Sequence, residues 1–235
     1  MSTHAKFLDA LSSQVGRKLL TGITGILLVA FVIAHLSGNL SLLQTNPDPF
    51  NRYTAFLSGF GGLLVFVEIM LALVILLHAY LGIAIALRRK KARAQGYEVY
   101  KSRGGESRQG LSSRTMAITG IVLLIFLVVH IWQFRFGPGV ADGYVTTLDG
   151  KEARNLHLLV VETFRNIGWV IFYVVATALL GFHLRHGVWS MLQSLGAMKP
   201  RMSKAIYSVA FVLGLLLALG FLFLPIWIYL REASV

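Results

Sequence analysis

The 235-residue chain predicts an all-α integral membrane protein, a five-transmembrane-helix bundle with its N-terminus in the cytoplasm and its C-terminus outside. Three observations predict it. The first is composition: 56% of residues are hydrophobic, the mean hydropathy is +0.69, and 14% are charged, against about 25% in a soluble domain. The second is five stretches almost free of charge, at 19–40, 57–87, 116–134, 167–184 with an extension past Arg185, and 206–230. Each meets or approaches the ~20 apolar residues that carry a helix across a bilayer, and a helix satisfies its own backbone in lipid. The third is the placement of the basic residues. Of the 22 Lys and Arg, sixteen fall on the side of the N-terminus and six on the other, the bias that marks the cytoplasmic face. That bias also explains the net charge of +12 without any nucleic-acid partner.

Residues 1–18 read as a cytoplasmic lead-in, too charged for a cleavable signal. The helices are expected at about 19–42, 57–88, 115–135, 164–195 and 205–230, in a single membrane domain over 1–235. The first ends near His35-Leu-Ser-Gly-Asn39, and Gln44-Thr-Asn-Pro-Asp-Pro49 is turn chemistry for a short outer loop. The second ends at Arg88-Arg-Lys-Lys91, which opens a basic segment reaching Arg114. That segment is either a solvated positive-inside loop or a docking surface for a soluble partner. The third helix ends at Gln133-Phe-Arg135, and the following 137–154, rich in Gly, Asp and Thr, reads as irregular. The fourth carries Gly181-Phe-His-Leu-Arg-His-Gly187 and stops at 196–200. The fifth is uniformly apolar, with Pro225 as a place for a kink, and reads as lipid-facing packing. No internal repeat, nucleotide loop or metal–carboxylate motif is read from the sequence.

Four of the apolar spans hold a histidine: His35, His78, His130 and His183. Ionisable groups at membrane depth are costly and mark functional sites by default. Counting ~1.5 Å of rise per residue from the charged edges puts His35 and His130 near the outer surface, and His78 and His183 near the inner one. Two depths with two imidazoles each, from different helices, suit two haems, whose iron takes axial ligands on opposite faces. The chain has no cysteine, which excludes disulfides, thiolate-held clusters and covalent c-type attachment. The expected cofactors are therefore two b-type haems, with His35 and His130 on the outer iron and His78 and His183 on the inner. Two bound imidazoles leave an iron no open position, so its work is electron transfer.

His186 competes with His183, three residues away on the same helical face. With Arg88 and Arg185 it is assigned to the haem propionates. Gly22, Gly25, Gly38, Gly82, Gly120 and Gly181 are expected to let a flat macrocycle approach the helices. Glu68 is the one acidic residue deep in an apolar run, at about the level of the outer pair. A carboxyl there is expected to be uncharged or to exchange a proton, which suits a quinone that takes up or releases protons with its electrons. Asn39, Ser41 and Gln133 are weaker polar candidates at that level. His4 and His157 lie outside the spans and read as surface residues.

The carrying motifs are Gly16-Arg-Lys18 with Thr21-Gly-Ile-Thr-Gly25 ahead of His35; His78-Ala-Tyr-Leu-Gly82; Ser113-Arg-Thr-Met116 ahead of His130; and His183-Leu-Arg-His-Gly187 with Gln193-Ser-Leu-Gly196. Over nearly the whole chain this pattern resembles the cytochrome b membrane anchor of dihaem five-helix succinate:quinone oxidoreductases, the succinate dehydrogenases and fumarate reductases. The resemblance implies electron transfer between succinate or fumarate and a membrane quinone, menaquinone rather than ubiquinone. It also implies a flavoprotein subunit and an iron–sulfur subunit docked on the cytoplasmic face of the inner (cytoplasmic) membrane. The chain itself has no flavin motif and no cluster ligands, so it would not act on succinate alone. Some fumarate reductases in the group place a Glu two residues before the fourth ligand, where this chain has Gly181. Glu68 is likewise not at the spacing of the Glu they use in quinol oxidation, so the proton route and the direction of turnover stay open. Two other readings remain: a dihaem anchor for another quinone-linked dehydrogenase or a hydrogenase, and a haem-free transporter or scaffold.

Overall fold

The computed structural model describes residues 12–91, 111–197 and 201–234. It is 83% helical, with seven α-helices: α1 (Gln14–Asn39), α2 (Asp48–Ser58), α3 (Gly62–Lys91), α4 (Leu111–Phe134), α5 (Leu156–Arg165), α6 (Ile167–Ser194) and α7 (Ser203–Ala233). Five of them, α1, α3, α4, α6 and α7, are long and apolar enough to cross a membrane. Their side chains say what surrounds them. Leu63, Phe66, Ile125 and Leu216 are each more than half exposed. Such a density of bare apolar surface is stable against lipid and unstable against water. The chain is thus a multi-pass membrane protein of the all-α class.

The elements between the spans differ from the sequence reading. The second and fourth helices begin later than expected, because a separate helix precedes each. Asp48 and Pro49 open α2, where Pro costs no hydrogen bond and Asp meets the positive helix end. Gly61, at φ +54°, then turns the chain into α3. Asn155 caps α5 by accepting from the Leu158 N–H at 3.0 Å, and extended Asn166 ends it before α6. The stretch 137–154 is irregular only in its first part, where 137–144 holds a single 3-10 turn. Strands β1 (Val145–Leu148) and β2 (Lys151–Arg154) pair antiparallel around Asp149-Gly150, both at positive φ (52° and 76°). This two-residue turn matches the twist of a hairpin, and Asp-Gly is a sequence that adopts it readily. Helix α7 continues through Pro225.

The chain divides into two compact units, and the division falls within each of the five long helices. The first comprises Met1–Ala30, Leu71–Ile121 and Phe182–Leu215; the second Phe31–Met70, Val122–Gly181 and Leu216–Val235. In the first, Val188 and Trp189 of α6 and Ala210 of α7 are buried with Val29, Met191 and Tyr207 against them. In the second, Leu42, Phe50, Val160, Phe164, Tyr173 and Ile228 belong to a larger core.

Asn51, fully buried, ties that second core together. It donates from Nδ2 to Asn155 Oδ1 at 2.9 Å and accepts the His157 backbone N–H on Oδ1 at 3.0 Å. His157 is therefore not a surface residue. It is 8% exposed, its ring lies 6.5 Å from that of Phe50, and burial holds its pKa below the ordinary 6.5. His4 lies outside the described residues. Asn51→Ala is expected to lower stability by about 1–3 kcal/mol, since the buried His157 N–H loses its acceptor while Asn155 Oδ1 keeps the Leu158 N–H. Thermal unfolding in detergent measures it, and a loss below ~1 kcal/mol would show that water replaces the amide.

Candidate cofactor site

The four span histidines meet in the predicted pairs. In the first unit, His78 of α3 and His183 of α6 have ring centroids 6.5 Å apart with planes at 66°. In the second, His35 of α1 and His130 of α4 are 5.7 Å apart with planes at 90°. Two metal–nitrogen bonds of about 2 Å, each with about 1 Å more to the ring centre, put two imidazole centroids about 6 Å apart across one metal ion. Both pairs have this spacing. Among the described residues no group of three or more His, Cys, Asp or Glu is placed to hold a metal.

The hydrogen bonds fix which nitrogen each ring offers. Thr24 Oγ1 donates to the Leu20 carbonyl at 2.8 Å and lies 3.0 Å from His78 Nδ1. Its one proton is committed to the helix, so its oxygen accepts and His78 Nδ1–H donates. Thr119 repeats the arrangement. Its hydroxyl donates to the carbonyls of Thr115 and Met116, both at 3.1 Å, and accepts from His183 Nδ1–H at 3.2 Å. In the second unit Tyr173 OH donates to Gln133 Oε1 at 2.6 Å and accepts from His130 Nδ1–H at 3.3 Å. Three of the four imidazoles thereby commit Nδ1–H to an oxygen, and in the neutral ring this leaves Nε2 with a bare lone pair, the tautomer that ligates a metal. Two rings that each present only a bare Nε2 cannot hydrogen-bond to one another, whereas a metal between them uses both lone pairs. His35 is fixed differently, stacked by Phe31 at 5.4 Å and by Phe221 of α7 at 5.8 Å.

Each ring of the first pair lies against a glycine, with room for no more than a Cβ in ordinary contact. A Cβ on Gly25 would stand 3.6 Å from His78 Cε1, and one on Gly120 3.4 Å from His183 Cε1. The other expected glycines serve otherwise: Gly22 seats Leu195, Gly38 seats the Tyr53 ring, and Gly82 faces open space. Beside the second pair, an apolar groove of about 410 Å³ is lined by Val122 and Phe126 of α4 and by Ile171, Phe172 and Val175 of α6.

His186 stands with its ring 5.6 Å from Trp189, while His183 is the ring opposite His78. The Arg185 guanidinium lies 5.4 Å over the Phe211 ring, a cation–π contact, and Arg88 is exposed near the end of α3.

Glu68 is not isolated. Arg135 grips it with two hydrogen bonds, Nε to Oε1 at 2.8 Å and Nη2 to Oε2 at 3.0 Å, the geometry of an ion pair. Such a pair keeps both charges where either alone would be costly.

Sequence reasoning missed Thr24, Thr119, Tyr173 and the aromatic stacks, and a signal for most of them was present. Ile23-Thr24-Gly25-Ile26 with Phe31 and His35 recurs, at identical spacing, as Ile118-Thr119-Gly120-Ile121 with Phe126 and His130. The chain thus has the internal repeat that was not read from it, and the structure gives the copies equal work. Phe31 stacks on His35 at 5.4 Å and Phe126 on His130 at 5.6 Å, each four residues before its histidine. Nor is α7 merely lipid-facing: it supplies Phe221 to His35, and its Gly220 lets Leu36 close.

Fold and site together define a membrane protein with five helices long and apolar enough to cross the bilayer and two facing pairs of imidazoles. Comparison with protein-family models, curated proteins and solved structures finds no match to this chain.

Proposed function

We propose that this chain is the dihaem cytochrome b membrane anchor of a succinate:quinone oxidoreductase, passing electrons between an iron–sulfur subunit and membrane quinone. The observation that carries this reading is the pairing of His78 with His183 and of His35 with His130, with Nδ1–H committed to oxygen in three of the four. A b-type haem bound at each pair supplies one-electron transfer without an open position for oxygen. The chain's own residues supply the rest. The four imidazoles ligate, and Thr24, Thr119 and Tyr173 orient three of them. Phe31, Phe126 and Phe221 fix ring planes and keep water from the second pair. The Glu68–Arg135 pair offers a carboxylate that can take a proton from a hydroquinone. Arg88, Arg185 and His186 supply positive charge and hydrogen-bond donors for the propionates of the haem at the first pair.

The succinate chemistry then belongs to a flavoprotein subunit, joined through the iron–sulfur subunit on the cytoplasmic face of the cell membrane. The basic segment between Arg88 and Arg114, most of which lies outside the described residues, is the surface offered to them. The quinone is menaquinone rather than ubiquinone on the strength of the resemblance.

Reduced-minus-oxidised spectra and haem content of the purified chain test the reading. The expected result is a b-type band and two haems per chain. A chain without that band would be a haem-free transporter or scaffold. A dihaem chain that copurifies with a different dehydrogenase or a hydrogenase would keep the cytochrome and lose the succinate assignment.

A further inference from the structure

The repeat places the same pair of residues, Thr then Gly, against an imidazole in each of its copies. On α1, Thr24 and Gly25 meet His78 of α3; on α4, Thr119 and Gly120 meet His183 of α6. In both copies the threonine is 5% exposed and its proton goes to a carbonyl of its own helix. A hydroxyl that donates is a better acceptor, because the two hydrogen bonds polarise one another. In both copies the glycine that follows faces the ring edge, where a Cβ would stand in ordinary contact at 3.6 Å and 3.4 Å.

The second unit lacks this symmetry. Its copy-equivalent support is the phenylalanine stack, and among the described residues a hydroxyl acceptor is found at His130 alone, through Tyr173. The repeated Ile-Thr-Gly-Ile segments are thus tied to one imidazole pair only.

We propose that Thr24 and Thr119 are matched positioning residues that hold both axial imidazoles of the haem at His78 and His183 as Nδ1–H donors and so lower that haem's reduction potential. This rests on the bis-histidine reading. The reasoning is electronic. An Nδ1–H that donates to oxygen gives its ring partial imidazolate character, and Nε2 becomes a stronger donor. Stronger donation favours ferric over ferrous iron, and hydrogen bonding around the ligands is one of the levers by which a protein sets a haem potential. Two such bonds on one iron act in the same direction.

The test uses the full chain, purified with its haems, as Thr24→Val, Thr119→Val and the corresponding Thr→Ser variants. Valine keeps the branched shape and removes the acceptor; serine restores the acceptor. Redox titration followed at the b-type absorption band reads each haem's potential, and electron paramagnetic resonance of the ferric state reads the ligand field. Each valine variant is expected to raise the potential of the same one of the two haems, with about a tenfold change in ferric–ferrous preference, ~59 mV for a one-electron couple. Each serine variant is expected to stay near the parent. If a valine variant loses a haem that the serine variant retains, the hydroxyl is still shown to support the ligand. Loss of that haem in both variants, shifts in different haems from the two sites, or two haems at unchanged potentials would overturn the proposal. A parent protein that binds no haem would instead overturn the reading beneath it.

Discussion

His183→Ala is expected to reduce haem content from two per chain to one. The remaining haem should keep the potential and ferric spectrum of the one at His35 and His130. The reason is that each pair is complete within its own unit. His78, His183, Thr24 and Thr119 belong to one; His35, His130, Tyr173, Phe31, Phe126 and Phe221 to the other. On the proposed dihaem reading, removing His183 takes away one of two ligands and leaves His78 without the ring opposite it. His186 does not take that ring's place, since it is one turn along α6 with its ring against Trp189. The haem-to-protein ratio measured after reduction in alkaline pyridine decides the matter. Two haems retained would move the ligation to His186 and with it the orientation of α6. His35→Ala is the reciprocal change, and the two variants should lose different haems.

The parts of this protein that sequence displayed plainly are those written in a single helical period. The five spans follow from run length alone, because lipid demands an unbroken helix and tolerates few charges. The histidine pairs follow from depth, which is a count along a helix. What was harder to read depends on contacts between helices or on short-range turn chemistry. Tyr173 is one aromatic residue among many in an apolar span, and only the fold puts its hydroxyl between His130 and Gln133. Phe221 is equally unmarked on α7. Asn51 looks like turn polarity and is a buried tie between α2 and α5. The hairpin at 145–154 and the repeat around Thr24 and Thr119 were legible. Asp149-Gly150 is a turn signal, and the recurrence of Ile-Thr-Gly-Ile before Phe and His is visible without a fold. Both were masked by composition, the one by a Gly-rich loop and the other by apolar runs in which most short words look alike. Glu68 was read without its partner, because Arg135 lies 67 residues away, just past the end of α4.

That partner decides what Glu68→Gln should do. Gln can keep a hydrogen bond to Arg135 but cannot accept a proton, so the substitution separates proton exchange from bracing. If the carboxylate takes a proton from hydroquinone, quinone turnover by the full complex should fall by about 10²-fold, the scale on which a positioned base contributes. Haem content and both potentials should stay unchanged, since neither ligand pair touches Glu68 or Arg135. The bracing alternative makes a different forecast. The two side chains are 36% and 48% exposed, and at such exposure an ion pair stabilises by about 0–1 kcal/mol in water. Glu68→Gln and Arg135→Gln would then produce similar small losses of thermal stability and leave turnover per folded complex intact. Arg135→Lys adds the discriminating arm. It keeps the positive charge but replaces the fork with a single donor, so it should weaken the brace while leaving a carboxylate able to take the proton. Slow turnover in Glu68→Gln together with near-parent turnover in Arg135→Lys assigns the proton to Glu68. Equal effects in both variants assign the pair to holding α3 against the end of α4.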